Sequence, residues 1–186
     1  MPIQFDLKKY KSSHFIETGT FKGGGCINAI QSGFTSIHSI EILEKNLNIA
    51  KANISKFIGD RKDLSINLHL GDSAKLLSEI LSDINTQATF WLDGHGGYGE
   101  AGAGEKNCPL YEELDIIKKH HIKNHIIMID DLRIIRGTHG GDRSWGTTSV
   151  TEEGVTDKLK SINPSYELIY EDGVIENDCL IAVAYS

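Results

Sequence analysis

Apolar runs of strand length alternate with segments of helical period along this chain, and that alternation restricts its fold more than any other feature. Runs at 14–18, 36–41, 65–70, 88–93 and 125–130 read as strands. The stretches at 24–32, 43–58, 73–84 and 109–120 read as helices. Leu43, Leu47, Ala50, Ile54 and Phe57 share one helical face. Leu76, Leu77, Ile80, Leu81 and Ile84 share another, behind Asp72 or Ser73 as N-cap. Pro109 suits a first helical position, and Glu112 and Glu113 fall in the first turn, where the helix dipole favours acidic side chains. Ile126-Ile127-Met128-Ile129 is continuously apolar, as a central strand covered on both faces must be.

Repeated strand–helix–strand units predict a parallel sheet between two helical layers. A helix over 149–162, opened by Ser149 with Glu152 three residues on, precedes two more strands at 166–170 and 179–184. The connection between those strands is too short for a helical crossover, so the closing pair is antiparallel. The expected fold is α/β: one domain over residues 1–186, with a seven-stranded, mostly parallel sheet, an antiparallel last strand and helices on both faces.

The first strand, His14-Phe15-Ile16-Glu17-Thr18, runs into Gly19-Thr20-Phe21-Lys22-Gly23-Gly24-Gly25, and a helix starts near Cys26. Glycines let the backbone approach a ligand, and the helix N-terminus beyond them offers free N–H groups. Such a turn suits an anionic or carboxylate-bearing cofactor. Its spacing, E-x-G-x-x-x-G-x-G, is not the G-x-G-x-x-G of nicotinamide enzymes.

In open parallel sheets, ligands bind beyond the carboxyl ends of the strands. An acidic residue stands at each such end: Glu17, Glu41, Asp72, Asp93 and the pair Asp130-Asp131. Asp93 and the pair belong to neighbouring strands, and carboxylates brought together repel unless protons or a cation compensate. Oxygen ligands suit Mg²⁺ or a similarly hard ion. Successive strand residues point to opposite faces, so Asp130 and Asp131 reach one ion only if the strand bends there. His95 follows Asp93 by two and is a candidate general base or metal ligand. His120, His121 and His125 read as a solvated helix end, and His14, His38 and His69 as strand residues rather than ligands.

The glycine turn, the acidic strand ends and the strand pattern together resemble the class I S-adenosylmethionine (SAM) dependent methyltransferases, from about residue 12 onward. The resemblance implies that Glu17, Thr18, Gly19, Thr20, Gly23, Gly24 and Gly25 hold the methionine part. It implies that Glu41, 22 residues beyond Gly19, accepts the ribose hydroxyls, that Asp72 and Ser73 flank the adenine, and that Asp93 borders the cofactor. The carboxylate cluster is similar to that of metal-dependent small-molecule O-methyltransferases, including those acting on sugars of antibiotics. This implies a divalent metal such as Mg²⁺ at Asp93, Asp130 and Asp131. The catalytic groups are then Asp93, His95 and Asp131, and the acceptor is a sugar or other vicinal diol. Glycine-rich loops at 94–107 and 137–148 are expected to move over that acceptor. Arg133, Arg136, Arg143 and Trp145 suit an anionic or sugar group.

A net charge of −7 argues against nucleic acid or an anionic membrane surface as the main partner. No N-P-P-Y base-flipping motif is present, no run has the apolar length that spans a bilayer, and the first residues lack the order of a signal peptide. Cys26, Cys108 and Cys179 are scattered, with no C-x-x-C pair, which fits a reducing cytoplasm rather than a disulfide framework. With no large substrate domain, acceptor selection falls to the loops or to a second subunit of a homo-oligomer. Two other classes stay open: a metal-dependent hydrolase built on Asp93, His95, Asp130 and Asp131, and a SAM-binding module without catalysis. The hydrolase leaves Glu41 and the glycine turn unexplained.

Overall fold

The computed structural model describes residues 3–96, 108–137 and 150–184. Strands β1 (His14–Thr18), β2 (Ser36–Glu41), β3 (Ser65–Leu70), β4 (Ala88–Leu92), β5 (Ile126–Ile129), β6 (Glu167–Glu171) and β7 (Cys179–Val183) form one sheet, in the order β3-β2-β1-β4-β5-β7-β6. The first five are parallel, and β7 lies antiparallel between β5 and β6. The helices are α1 (Gly24–Gln31), α2 (Glu44–Ile58), α3 (Ser73–Ser82), α4 (Leu110–Lys119), the short α5 (Leu132–Ile135) and α6 (Glu152–Ile162). A 3-10 turn over Leu7–Tyr10 and α5 carry no periodicity that the sequence reading could use.

Side chains of β1 alternate between two cores, one on each face of the sheet. Phe15 packs with Phe34, Ile37, Ala50 and Ile54 beneath α1 and α2. Ile16 packs with Leu77, Leu114 and Leu159 beneath α3, α4 and α6. The alternation continues past the apolar run. Glu17 turns to the α1 side, where the Cys26 thiol meets it, and Thr18 turns toward α4.

Two expectations are corrected. Helix α6 starts behind Thr151, whose side-chain oxygen accepts from Gly154 N–H at 3.0 Å. This start sends Val155, Leu159 and Ile162 inward together, and Ser149 lies outside the described residues. His125 is fully buried rather than part of a solvated helix end. Helix α4 stops at Lys119, and His125 already stands at the edge of β5. Its Nδ1 accepts the Ala88 N–H at 3.0 Å. That fixes the remaining proton on Nε2, which donates to His120 Nδ1 at 2.8 Å, and His120 Nε2–H donates to the Ile84 carbonyl at 3.0 Å. Burial, reinforced by His120, pushes His125 down to about 4. Among the described residues, no helix is long and apolar enough to cross a membrane.

Candidate active site

Register aligns the carboxyl ends of the parallel strands. Thr18 pairs with Ile40 on one side and Leu92 on the other, Leu92 pairs with Ile129, and Glu41 with Leu70. Glu17, Glu41, Asp72, Asp93 and Asp130 therefore share one edge of the sheet.

Glu17 is 2% exposed. It accepts hydrogen bonds from Ser39 Oγ at 2.5 Å and from the Cys26 thiol at 3.2 Å. Burial raises its carboxyl to about 7, and these two bonds offset only part of that. A β-carbon on Gly25 would run into the Glu17 carboxylate. Gly19, at φ +86, lets the turn after β1 close on the Asp93 carbonyl, where a β-carbon would collide. Thr20 Oγ1 lies 2.6 Å from Ser39 Oγ. Gly23 caps α1 in the left-handed region, and Gly24 opens the helix.

Glu41 clamps this turn onto β2. One carboxylate oxygen accepts Phe21 N–H at 2.7 Å and the other accepts Leu43 N–H at 2.8 Å. Each oxygen keeps a second lone pair for a ligand hydroxyl. Asp72 caps α3 by accepting Ala74 N–H at 3.0 Å. Ser73 donates its hydroxyl to Glu113 Oε1 at 2.5 Å.

Glu113 is the site residue that the sequence reading passed over as a helix-dipole carboxylate. It is buried on the inner face of α4, and burial raises it to about 7 against the hydrogen bond from Ser73. It also abuts the turn after β4, where a β-carbon on Gly94 would come within 2.9 Å of Thr18 and 3.1 Å of Glu113. The signal was available, because position 113 shares its helical face with Leu110, Leu114 and Ile117.

Beyond β4 and β5, the chain brings Asp93, His95 and Asp131 together. His95 Nε2 lies 3.1 Å from Asp93 Oδ1 and 2.9 Å from Asp131 Oδ2. Burial alone would lower the imidazole, but hydrogen bonds and charge from Asp131 and Asp93 lift it to about 10. The strand does bend, as joint use of Asp130 and Asp131 requires, because Asp131 takes φ 62 and ψ 37 at the start of α5. Burial disfavours the Asp131 carboxylate, yet His95 and Arg133 hold it below the usual range. Asp130 instead accepts Asp131 N–H at 2.8 Å and the Cys179 thiol at 3.1 Å. Its burial, with the charges of Asp93 and Asp131, raises it to about 7.

Asp178, in the connection that leads into β7, completes the cluster. Arg133 Nη1 bridges Asp131 Oδ1 and Asp178 Oδ2. Charges thus alternate in sign from Asp178 through Arg133, Asp131 and His95 to Asp93. Arg136 is committed to its own chain as well, forking onto Glu152 at 2.7 and 2.8 Å. Residues 97–107 and 138–148 of the two glycine-rich loops, with Arg143 and Trp145, lie outside the described residues.

The donor set at His95 fits a divalent ion. Its three ligand atoms lie within 4.8 Å of one another. The two measured separations match the edge of about 3.0 Å between adjacent ligands that sit about 2.1 Å from an octahedral ion. An imidazole beside two carboxylates also admits ions softer than Mg²⁺, such as Mn²⁺ or Fe²⁺.

Comparison with solved structures defines the class of fold. An O-methyltransferase from Bacillus cereus in complex with SAH aligns at a TM-score of 0.61 and 17% identity, over 96% of this chain and 77% of its own. TomG from Streptomyces achromogenes, an O-methyltransferase involved in tomaymycin synthesis and solved with SAM, aligns at 0.62 and 14%, over 96% and 76%. The SAH-bound methyltransferase PaMTH1 of Podospora anserina aligns at 0.60 and 14%, over 97% and 74%. The chain has the Rossmann-like fold of the class I SAM-dependent methyltransferases. No protein-family model matches the chain, and no curated protein matches its sequence.

Proposed function

We propose that this protein is a SAM-dependent O-methyltransferase. It transfers a methyl group to a hydroxyl of a small molecule, a sugar or other vicinal diol, with a divalent metal held by Asp93, His95 and Asp131. The observation that carries this reading is the convergence of those three side chains on the sheet edge that also bears the Glu17–Gly25 turn. The SAM and SAH bound to proteins of the same fold support the choice of cofactor.

The glycine turn and the N-terminus of α1 receive the methionine part, the free lone pairs of Glu41 receive the ribose, and the start of α3 lies beside the adenine. The acceptor lies over the carboxyl ends of β4 and β5, beside Asp93, His95 and Asp131. SAM supplies an already activated methyl group, and a divalent metal lowers the pKa of a hydroxyl it holds together with a neighbouring oxygen. The chain's own task is to set the two reactants in line. Asp130, at the end of β5 next to Asp131, stands where it can take the hydroxyl proton.

Incubation with methyl-labelled SAM and a panel of sugars and catechols, with a divalent ion or with EDTA, tests the reading. Label should enter an acceptor only with the ion present, and Asp93→Asn should remove the transfer. Ester or phosphoester cleavage without SAM would move the assignment to the hydrolase. Tight SAM binding with no transfer to any acceptor would move it to the non-catalytic module.

A further inference from the structure

We infer that Asp178 and Arg133 are positioning residues for Asp131, holding its backbone in the left-handed region and aiming its carboxylate at His95. The inference rests on the proposed methyltransferase site, but its test needs no methyl transfer.

A non-glycine residue at φ 62 stays there only where its surroundings impose it. The surroundings here are specific. The two N–H groups that follow Asp131 are both taken by one residue of a distant segment. Leu132 N–H donates to the Asp178 carbonyl at 2.8 Å, and Arg133 N–H donates to Asp178 Oδ1 at 2.9 Å. Asp178 is in turn fixed by Val174 N–H, which donates to Oδ2 at 3.1 Å. Its carboxylate is fully buried and has no solvent alternative. The bend after β5 is therefore pinned from the segment that leads into β7.

The side chains repeat the grip of the backbone. Arg133 Nη1 meets Asp178 on one side and Asp131 Oδ1 on the other, which leaves Asp131 Oδ2 for His95. A rigid guanidinium suits this bridge, because its planar fork fixes direction as well as charge. Partners at one remove from a site orient the groups that touch the ligand, and their loss costs about 10–100-fold in metal affinity.

The test compares wild type with Asp178→Asn and Arg133→Met. Asp178→Asn keeps the shape but a single acceptor oxygen, so it must give up either the Arg133 N–H or the Val174 N–H with the guanidinium, and urea denaturation establishes that the variant is folded. Arg133→Met keeps the apolar stem and removes the bridge. Two readouts are taken at one fixed pH: Mn²⁺ affinity by calorimetry, and the ¹⁵N signals of the His95 imidazole. Both variants should lose about 10–100-fold in Mn²⁺ affinity and shift the His95 signals. SAM affinity should stay at the wild-type value. Unchanged Mn²⁺ affinity and His95 signals in a folded variant would overturn the inference. So would a parallel loss of SAM affinity, which would make the pair a support of the whole fold. A wild type that binds no Mn²⁺ would remove the metal from the proposed function, and the His95 signals alone would then decide the positioning role.

Discussion

Glu17 and Gly25 occupy mutually exclusive space: the buried carboxylate fills the position where a side chain on Gly25 would begin. The glycine is required by its neighbour, since Gly25 does not itself have a positive φ. The acid at the end of β1 and the last glycine of the turn are thus one packing unit at the N-terminus of α1.

Gly25→Ala should destabilise the protein by about 1–3 kcal/mol, the usual cost of overpacking. In a Glu17→Ala background that penalty should vanish, because the space is vacated. A double-mutant cycle by urea denaturation checks this. An equal cost of Gly25→Ala in both backgrounds would contradict the contact.

Glu113 predicts an unusual pH dependence. Its folded-state value of about 7 lies above the ordinary 4.5, so the native protein binds the proton more tightly than the unfolded chain. This contribution is fully present below pH 4.5 and is lost as pH rises to about 7. Its full size is on the order of 3 kcal/mol, at about 1.4 kcal/mol per pKa unit. Glu113→Gln cannot ionise, so it should gain stability relative to wild type between pH 5 and pH 8. Urea denaturation across that range measures the difference, and a constant difference would contradict the account.

His125 works in the opposite direction. Its folded-state value of about 4 lies below the ordinary 6.5, so its stability contribution is full above pH 6.5 and is lost as pH falls through about 4. The imidazole should show no titration by NMR between pH 5.5 and 8. His120→Ala should cost about 1–3 kcal/mol by leaving the buried Nε2–H without a partner. Titration of His125 near pH 6.5 would contradict this assignment.

The sheet was legible because β5 is apolar throughout and the apolar runs of β1 and β4 carry buried residues on both faces, and the carboxyl-end rule then placed Glu17, Asp93 and Asp130 on one edge. The link from Asp178 to Arg133 was not legible. It joins residues 45 apart in sequence, and no periodicity marks a lone aspartate that folds back under a bend. Glu113 was misread because two glutamates in a first helical turn satisfy the dipole rule equally well, although only position 113 falls on the face of Leu110, Leu114 and Ile117. His125 was misread because its partner is the first backbone N–H of β4, 37 residues earlier.

Calorimetric titration with SAM, with and without Mn²⁺, on wild type and Glu41→Ala decides whether the edge beyond β1 and β2 is a cofactor site. Wild type should bind SAM saturably. Glu41→Ala should lose at least about tenfold in affinity, roughly 1.4 kcal/mol or more, with the ribose acceptor and the clamp on Phe21. No binding by wild type under either condition would contradict the methyltransferase assignment.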